Sequence, residues 1–244
     1  MSDKWFCQIG IGVYAECVKL LQQGWYGVLV DADPMTFAKM YSHLESELAT
    51  PLFQRLTFIN TAITGKDELI EFASYPFDRA GDIEEWSHGS SASFLDKFDR
   101  PSSARFVGHG TSLDTLFRHI GNHIDFLMMD IAGEEVDVLK HYSFADPPSV
   151  IQVEYHWGNE REVRPILNAS DYLSVASLDD GKGIQERWHH SSCVALPPEI
   201  ATLWGYPWSD NVRYEVAQNI KKGKFPNYET QVCLLYTSPS PRDS

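Results

Sequence analysis

The stretch CQIGIGVYAECVKLL, residues 7–21, decides how the chain begins to fold. An apolar run leads into Gly10 and Gly12, and apolar residues then recur at helical spacing up to Gly24. A strand, a glycine turn and a helix in this order turn the free N–H groups of a helix N-terminus toward a ligand. The stretch therefore predicts a nucleotide-binding or nucleoside-binding turn at the start of an α/β fold.

Composition narrows the class of protein. The chain has 244 residues, enough for one large α/β domain, and its formal net charge is -14. Binding to a nucleic-acid backbone needs clustered Lys and Arg, and no basic stripe is present, so we expect no nucleic-acid partner. The sequence shows no membrane-length apolar run and no signal peptide. We therefore expect a cytoplasmic protein without a membrane partner.

Two segments interrupt the pattern. Residues 77–103 mix Gly, Ser, Asp and Trp without a clear period, which is typical of a long binding loop. The tail YTSPSPRDS, residues 236–244, is rich in Ser and Pro and is predicted to be unstructured and not native. We predict one domain over residues 1–235.

Strand and helix patterns alternate along most of the chain. Strands are predicted at residues 4–9, 26–33, 56–63, 68–75, 104–110, 124–130 and 149–156, and helical patterns at residues 14–21, 37–44, 113–120 and 134–142. Thr111 and Asp114 have the spacing of a helix N-cap. Beyond residue 170 the signal weakens to short strands. The alternation predicts a doubly wound, mostly parallel sheet with helices on both faces.

In such a sheet, ligands bind outside the carboxyl ends of the strands. Asp31 ends the second predicted strand, 21 positions after Gly10 (31 minus 10), where a carboxylate can accept hydrogen bonds from ribose hydroxyls. Gly10, Gly12 and Ala15 also fit the dinucleotide pattern GxGxxA. The turn alone is compatible with both a dinucleotide and S-adenosyl-L-methionine.

Several further motifs carry a family resemblance. They are VDADP at residues 30–34, NTA at 60–62, GSSASF at 89–94, SLDTLF at 112–117, IDFLMMDIAGEEVDVL at 124–139 and VIQVEYH at 150–156. In this order and spacing, the sequence from about residue 5 to residue 156 resembles the FkbM-type S-adenosylmethionine-dependent methyltransferases. The resemblance implies a Rossmann-like class I methyltransferase fold with S-adenosyl-L-methionine as cofactor.

The resemblance and the strand ends together give the expected cofactor-binding residues. These are Gln8, Gly10, Gly12, Asp31, Ala32, Asn60 and Ala62. Asn60 and Ala62 correspond to the family's adenine pocket.

Four positions depart from the family pattern. The family usually has an acid at Gln8, a glycine at Tyr14, a lysine at Met128 and a glutamate at Ala132. Gln8 can still hydrogen-bond the amino-acid end of the cofactor, although it carries no charge.

Methyl transfer to an alcohol needs a group that accepts its proton, and His is suited to this at neutral pH. Asp130 and His156 end neighbouring predicted strands and are the candidate catalytic residues. Asp130, Glu154 and His156 could hold a divalent cation, but no spacing signature requires it, and we predict no metal. His189, His190 and Cys193 lack a fourth zinc ligand at standard spacing.

Three functions remain open from the sequence. The first is methyl transfer to a hydroxyl of a small molecule or glycan. The second is a NAD-dependent oxidoreductase that uses the GxGxxA turn. The third is a non-catalytic binding domain of the same fold, which the neutral residues Gln8, Met128 and Ala132 favour. The acceptor, metal dependence and oligomeric state are not specified by these motifs.

Overall fold

A computed structural model of the chain describes residues 3–11, 15–74, 104–131, 133–155, 158–179, 184–193 and 198–201. The strands are β1 Trp5–Ile9, β2 Tyr26–Asp31, β3 Leu56–Asn60, β4 Ala62–Ile63, β5 Glu68–Ser74, β6 Ala104–Thr111, β7 Phe126–Met129, β8 Val150–Tyr155, β9 Tyr172–Asp179 and β10 Ile184–His190. The α-helices are α1 Pro34–Glu47, α2 Thr50–Phe53, α3 Leu113–Ile120, α4 Glu135–His141, α5 Glu160–Ala169 and α6 Pro198–Ala201, and a 3₁₀ helix covers Glu16–Gln23.

Seven strands form the main sheet in the order β3-β2-β1-β7-β8-β10-β9. The first five are parallel to one another, and β10 runs antiparallel to both β8 and β9. The prediction of a mostly parallel, doubly wound sheet is confirmed. The strand order switches at β1, whose two neighbours are β2 and β7, and this point is where such sheets bind their ligands.

The central strands are buried on both faces, which explains their nearly continuous apolar sequences. Cys7 and Ile9 of β1 point into a core cluster that also contains buried residues of α3, α4 and α5. Phe6 points to the opposite face, where it belongs to a second cluster with residues of the 3₁₀ helix and α1. Side chains that alternate along one strand therefore serve two separate cores.

One predicted strand is wrong in its extent. Residues 56–63 do not form a single strand, because the chain turns at Thr61 and divides it into β3 and β4. The Thr61 hydroxyl donates to the carbonyl of His109 at 2.9 Å, and β4 then pairs with β6 in a separate three-stranded sheet of order β4-β6-β5. Ala62 accordingly lies opposite Gly110 and outside the main sheet.

The predicted cap of α3 is also wrong by one residue. Thr111 is the last residue of β6, and the N-cap is Ser112, whose hydroxyl accepts a hydrogen bond from the backbone N–H of Thr115. The carboxylate of Asp67 accepts hydrogen bonds from the Ser112 N–H and from the hydroxyls of Ser112 and Thr115. These bonds hold the pKa of Asp67 below its usual value and tie the start of α3 to the small sheet.

After β8 the structure contains a helix that the sequence patterns missed. Helix α5 buries Val163 and Leu167 although it contains Pro165, which lowers the sequence signal for a helix. Strands β9 and β10 lie where the sequence indicated short strands, and they pair antiparallel, with a register shift between Arg187 and Trp188, to complete the main sheet. Within the described part of the chain, no helix is both long and apolar enough to cross a membrane. The single domain over residues 1–235 stays a prediction, because much of its end lies outside the described residues.

The end of β1 is held tightly between its two neighbours. Gly10 has φ +75°, and its N–H donates to the carbonyl of Val30 at 2.9 Å. The N–H of Asp130 donates to the carbonyl of Ile9 at 3.0 Å. A Cβ at position 10 would lie 1.7 Å from the carbonyl oxygen of Asp130. Glycine is therefore required at position 10, because the backbone carbonyl of Asp130 occupies the place of a side chain there.

We expect the substitution Gly10→Ala to destabilise the fold by roughly 3 kcal/mol or more, because it adds a backbone clash to an unfavourable positive φ. Gly121→Ala is the matched control, since Gly121 has φ +71° and a Cβ there would meet no atom within 4 Å. The control should lose only about 1 kcal/mol. Urea unfolding of both variants measures the difference, and equal losses would contradict a role for the Asp130 carbonyl.

Candidate functional site

The parallel strands bring five sequence-predicted positions to one edge of the main sheet. Four of them end or directly follow β1, β2, β3 and β7, and the fifth is the penultimate residue of β8; in that order they are Gly10, Asp31, Asn60, Asp130 and Glu154. The strand registers align these ends in consecutive pairs across the sheet. This carboxyl edge is where a doubly wound sheet binds a ligand.

The β2 and β3 ends form one half of this edge. Asp31 is partly exposed, and its carboxylate accepts the N–H of Asp33 at 2.9 Å. The amide of Asn60 donates to the backbone carbonyls of Asp31 at 2.8 Å and Ala32 at 3.3 Å. Asn60 therefore fixes the turn that carries Asp31, and Ala62 lies buried on β4 beyond it.

Gln8 is buried beneath the start of the 3₁₀ helix. Its amide donates to the carboxylate of Glu16 and its amide oxygen accepts the N–H of Cys17 at 3.1 Å. Burial raises the pKa of Glu16 to about 7, and the nearby charge of Asp130 acts in the same direction. Sequence analysis missed Glu16, although an acid directly after a glycine turn is a signal that could have drawn attention to it.

The neutral residues Gln8 and Met128 are neighbours in space. They are direct partners in the pairing of β1 with β7, and the sulfur of Met128 lies 3.7 Å from the sulfur of Cys17. The family pattern would place an acid beside a lysine at these two positions. Here an amide lies beside a thioether, so the two departures replace a charged pair by a neutral pair.

The side chain of Glu135 hydrogen-bonds the backbone of the loop after β7 and holds it in place. This side chain is fully buried, and its carboxylate accepts the N–H groups of Ile131 at 3.1 Å and Gly133 at 2.9 Å. The amide of Asn159 donates to the same carboxylate at 3.2 Å. Burial raises the pKa of Glu135. Its role is to hold the backbone that follows Asp130, in agreement with a supporting position at the helix start.

Other predicted residues lie outside the described residues. These are Gly12, Tyr14, Ala132 and His156. Among the residues that are described, no group of three His, Cys, Asp or Glu side chains is arranged to hold a metal ion. His189 is buried in β10, which lowers its pKa to about 4, whereas the ring of His190 hydrogen-bonds the Ser192 hydroxyl at 2.7 Å.

A cleft of about 630 Å³ lies at the opposite edge of the sheet. It is lined by residues of α3 and of the loops that precede β7 and β8, including Arg118, His123 and Asp146. His123 contacts Asp146 at 2.9 Å and the Ser149 hydroxyl at 3.1 Å, which joins the two loops. Since these loops lead into the amino ends of parallel strands, this cleft is separate from the carboxyl edge.

The carboxyl edge fits an adenosine-containing cofactor. Gly10 lies at the switch in strand order, with the Asp130 carbonyl where its side chain would begin, and Asp31 offers a partly exposed carboxylate one strand away. A carboxylate at this position can accept hydrogen bonds from the ribose hydroxyls of a nucleoside.

Comparison with solved structures supports the fold. A methyltransferase FkbM from Methylobacillus flagellatus KT is similar with a TM-score of 0.52 at 14% identity, covering 77% of this chain and 44% of that chain. The present chain thus spans less than half the length of that protein.

Two further structures are similar at lower TM-scores. A ribosomal protein L11 methylase from Lactobacillus delbrueckii subsp. bulgaricus gives 0.46 at 7% identity, covering 78% of this chain and 71% of that chain. The magnesium protoporphyrin IX methyltransferase from Synechocystis PCC 6803, with bound SAM, gives 0.43 at 10% identity, with the same coverages of 78% and 71%. The sequence matches none of the curated proteins.

The family comparison is decisive. The model of the methyltransferase FkbM domain matches residues 7–178, which include every strand from β2 to β8 and the whole carboxyl edge. The sheet is that of the Rossmann-like class I methyltransferases. Membership implies S-adenosylmethionine as cofactor, as the sequence predicts. The chain belongs to the FkbM methyltransferase domain family.

Proposed function

We propose that the protein transfers the methyl group of S-adenosylmethionine to a hydroxyl group of a small molecule or a glycan. The observation that supports this most is the division of the carboxyl edge into two polar halves around Gly10. The half formed by β2 and β3 presents Asp31, and the half formed by β7 and β8 presents Asp130 and Glu154.

In this proposal the first half holds the adenosine. The Asp31 carboxylate accepts the ribose hydroxyls, while Asn60 keeps the Asp31–Ala32 turn in place through its two backbone hydrogen bonds. Ala62 borders the adenine, because its small side chain is buried at the start of β4 just beyond Asn60.

The amino-acid end of the cofactor would lie beside Gln8 and Glu16. Gln8 is held by Glu16 and by the Cys17 N–H, so its position is fixed before a ligand arrives. Glu16, which hydrogen-bonds Gln8, then supplies a carboxyl group close to the position where the family usually has its acid. Gly12 would complete this turn by leaving the backbone N–H groups accessible.

The second half of the edge would receive the acceptor. When bound, the cofactor supplies the activated methyl group, and the task of the protein is to orient the hydroxyl and remove its proton. Asp130 follows β7 and hydrogen-bonds Ile9 through its backbone, which leaves its partly exposed side chain at the edge. His156 follows β8 directly and is proposed as the base that takes the proton.

Titration calorimetry with S-adenosylhomocysteine tests the cofactor half. The substitution Asp31→Asn keeps an oxygen that can accept the Asp33 N–H but removes the charge, and it should weaken binding by about 1–3 kcal/mol. Asp146→Asn removes one carboxylate at the opposite edge and should leave the affinity unchanged. NAD serves as the competing ligand. Tighter binding of NAD than of S-adenosylhomocysteine, or an unchanged affinity in Asp31→Asn, would refute this part of the proposal.

Turnover tests the role of His156. With an acceptor identified among hydroxylated small molecules and glycans, His156→Ala should lower methyl transfer by roughly 10²–10⁴-fold, the usual contribution of a general base. His156→Gln should be similarly slow, since glutamine cannot take up a proton at neutral pH, and cofactor affinity should stay nearly unchanged in both variants. His119→Ala, an exposed histidine at the end of α3, is the control. Full activity of both His156 variants would contradict the role of His156 as the base and leave Asp130 as the candidate catalytic residue.

A further inference from the structure

A continuous chain of hydrogen bonds runs inside the main sheet from a buried arginine to the carboxyl edge. The guanidinium of Arg187 donates to the amide oxygen of Gln152 at 2.6 and 3.1 Å. The amide nitrogen of Gln152 donates to Gln185 at 3.3 Å, and that of Gln185 donates to the carboxylate of Glu154 at 3.1 Å. We call these four residues the arginine–glutamate chain.

The orientation of both amides follows from the cation at one end. A guanidinium only donates, so the Gln152 oxygen must face Arg187 and its nitrogen must face away. The next acceptor is then the Gln185 oxygen, which turns the Gln185 nitrogen toward Glu154. Each link fixes the next, and the last link presents an N–H donor to the Glu154 carboxylate at the sheet edge.

Burying such a network inside a sheet costs free energy, because its charged and polar groups lose their contact with water. Arg187 and Gln152 are each 1% exposed and Gln185 is 5% exposed. Burial lowers the pKa of Arg187 to about 9, so the guanidinium remains charged at neutral pH. Apolar residues of similar volume commonly stabilise a fold as well as a buried charged network does, or better. The network is therefore better explained by what it does to Glu154 than by stability.

Glu154 occupies the acceptor half of the edge. Met129 pairs with Val153, so Asp130 and Glu154 occupy the next positions of the same two parallel strands, which lie about 4.8 Å apart. Glu154 is partly exposed, whereas the other members of the chain are buried. A ligand at the edge can thus reach only the Glu154 end of the arginine–glutamate chain.

We propose that Glu154 faces the transferred methyl group and accepts a hydrogen bond from the acceptor, and that Arg187 is a positioning residue that orients Glu154 through Gln152 and Gln185. This inference rests on the proposed use of S-adenosylmethionine. In this proposal, the group that faces the methyl acceptor is the Glu154 carboxylate, and the hydrogen bond from Gln185 fixes its direction. The matching acceptor group is a hydroxyl, whose O–H donates to the carboxylate while a lone pair of its oxygen faces the methyl group.

Sinefungin tests the inference without a known acceptor, because it resembles S-adenosylhomocysteine but carries an amine where the transferred methyl group would be. The measured quantity is the ratio of the dissociation constants of S-adenosylhomocysteine and sinefungin, determined by calorimetry on the full chain. The dissociation constant of S-adenosylhomocysteine divided by that of sinefungin gives the preference for sinefungin. Glu154→Gln should lower this ratio about tenfold or more, because the variant loses a charged hydrogen-bond acceptor. Asp146→Asn, at the opposite edge, should leave the ratio as in the unaltered chain.

Gln185→Leu tests the positioning role, because it breaks the last two links of the chain while Arg187 and Gln152 remain bonded. It should lower the ratio about threefold and change the affinity for S-adenosylhomocysteine by less than twofold, a split that a general loss of stability would not produce. An unchanged ratio in Glu154→Gln overturns the assignment of Glu154. A changed ratio in Glu154→Gln with an unchanged one in Gln185→Leu overturns the role of the chain. If the unaltered chain binds neither nucleoside, the proposed function itself fails, which the titration distinguishes.

Discussion

The contact between Gly10 and the carbonyl of Asp130 is the constraint on which the rest of the edge depends. β1 ends between β2 and β7, and hydrogen bonds from Gly10 to Val30 and from Asp130 to Ile9 hold it there. With the Asp130 carbonyl in the space of a side chain at position 10, the two backbones meet directly. This meeting sets the distance between the Asp31 half and the Asp130 half of the edge, so the positions of both halves follow from one residue without a side chain.

The sequence was sufficient to predict those strands and helices in which apolar residues follow a simple pattern. The strands that became β1, β2, β7 and β8 are apolar runs between turn residues, and a buried parallel strand has few other patterns. The parallel direction of these strands also followed from the alternation with helices. Errors occurred at Thr61, whose hydroxyl donates to the distant carbonyl of His109, and at Ser112, whose hydroxyl donates to the distant carboxylate of Asp67. Such a bond has no local signature.

The site was predictable only at its strand ends. Asp31 and Asp130 follow apolar runs, so their place at the edge could be inferred from the chain alone. Glu16 and Gln185 were missed because their importance comes from partners, Gln8 and Glu154, that are distant in sequence or lie on another strand. At Gly10 the sequence indicated room for a ligand, whereas the structure shows the Asp130 carbonyl in the space of the missing side chain.

The distribution of charge across the sheet links the departures from the family pattern to the arginine–glutamate chain. Gln8 pairs with Met128, Met128 with Gln152, and Gln152 with Arg187, so the four residues form one row across β1, β7, β8 and β10. The family resemblance puts an acid and a lysine at the first two places of this row. Here both are neutral, and the buried cation stands at the far end.

A cation at the far end of the row acts on a different part of the edge. A lysine at position 128 would lie next to position 8, where we propose the amino-acid end of the cofactor, whereas Arg187 is connected by two amides to Glu154 on the proposed acceptor side. In this proposal, the polar chain directs the influence of a buried positive charge away from the cofactor half. Because the Glu154 carboxylate at the end of the arginine–glutamate chain then has a fixed direction, the proposed arrangement favours acceptors that offer a hydrogen-bond donor to the β8 end of the sheet.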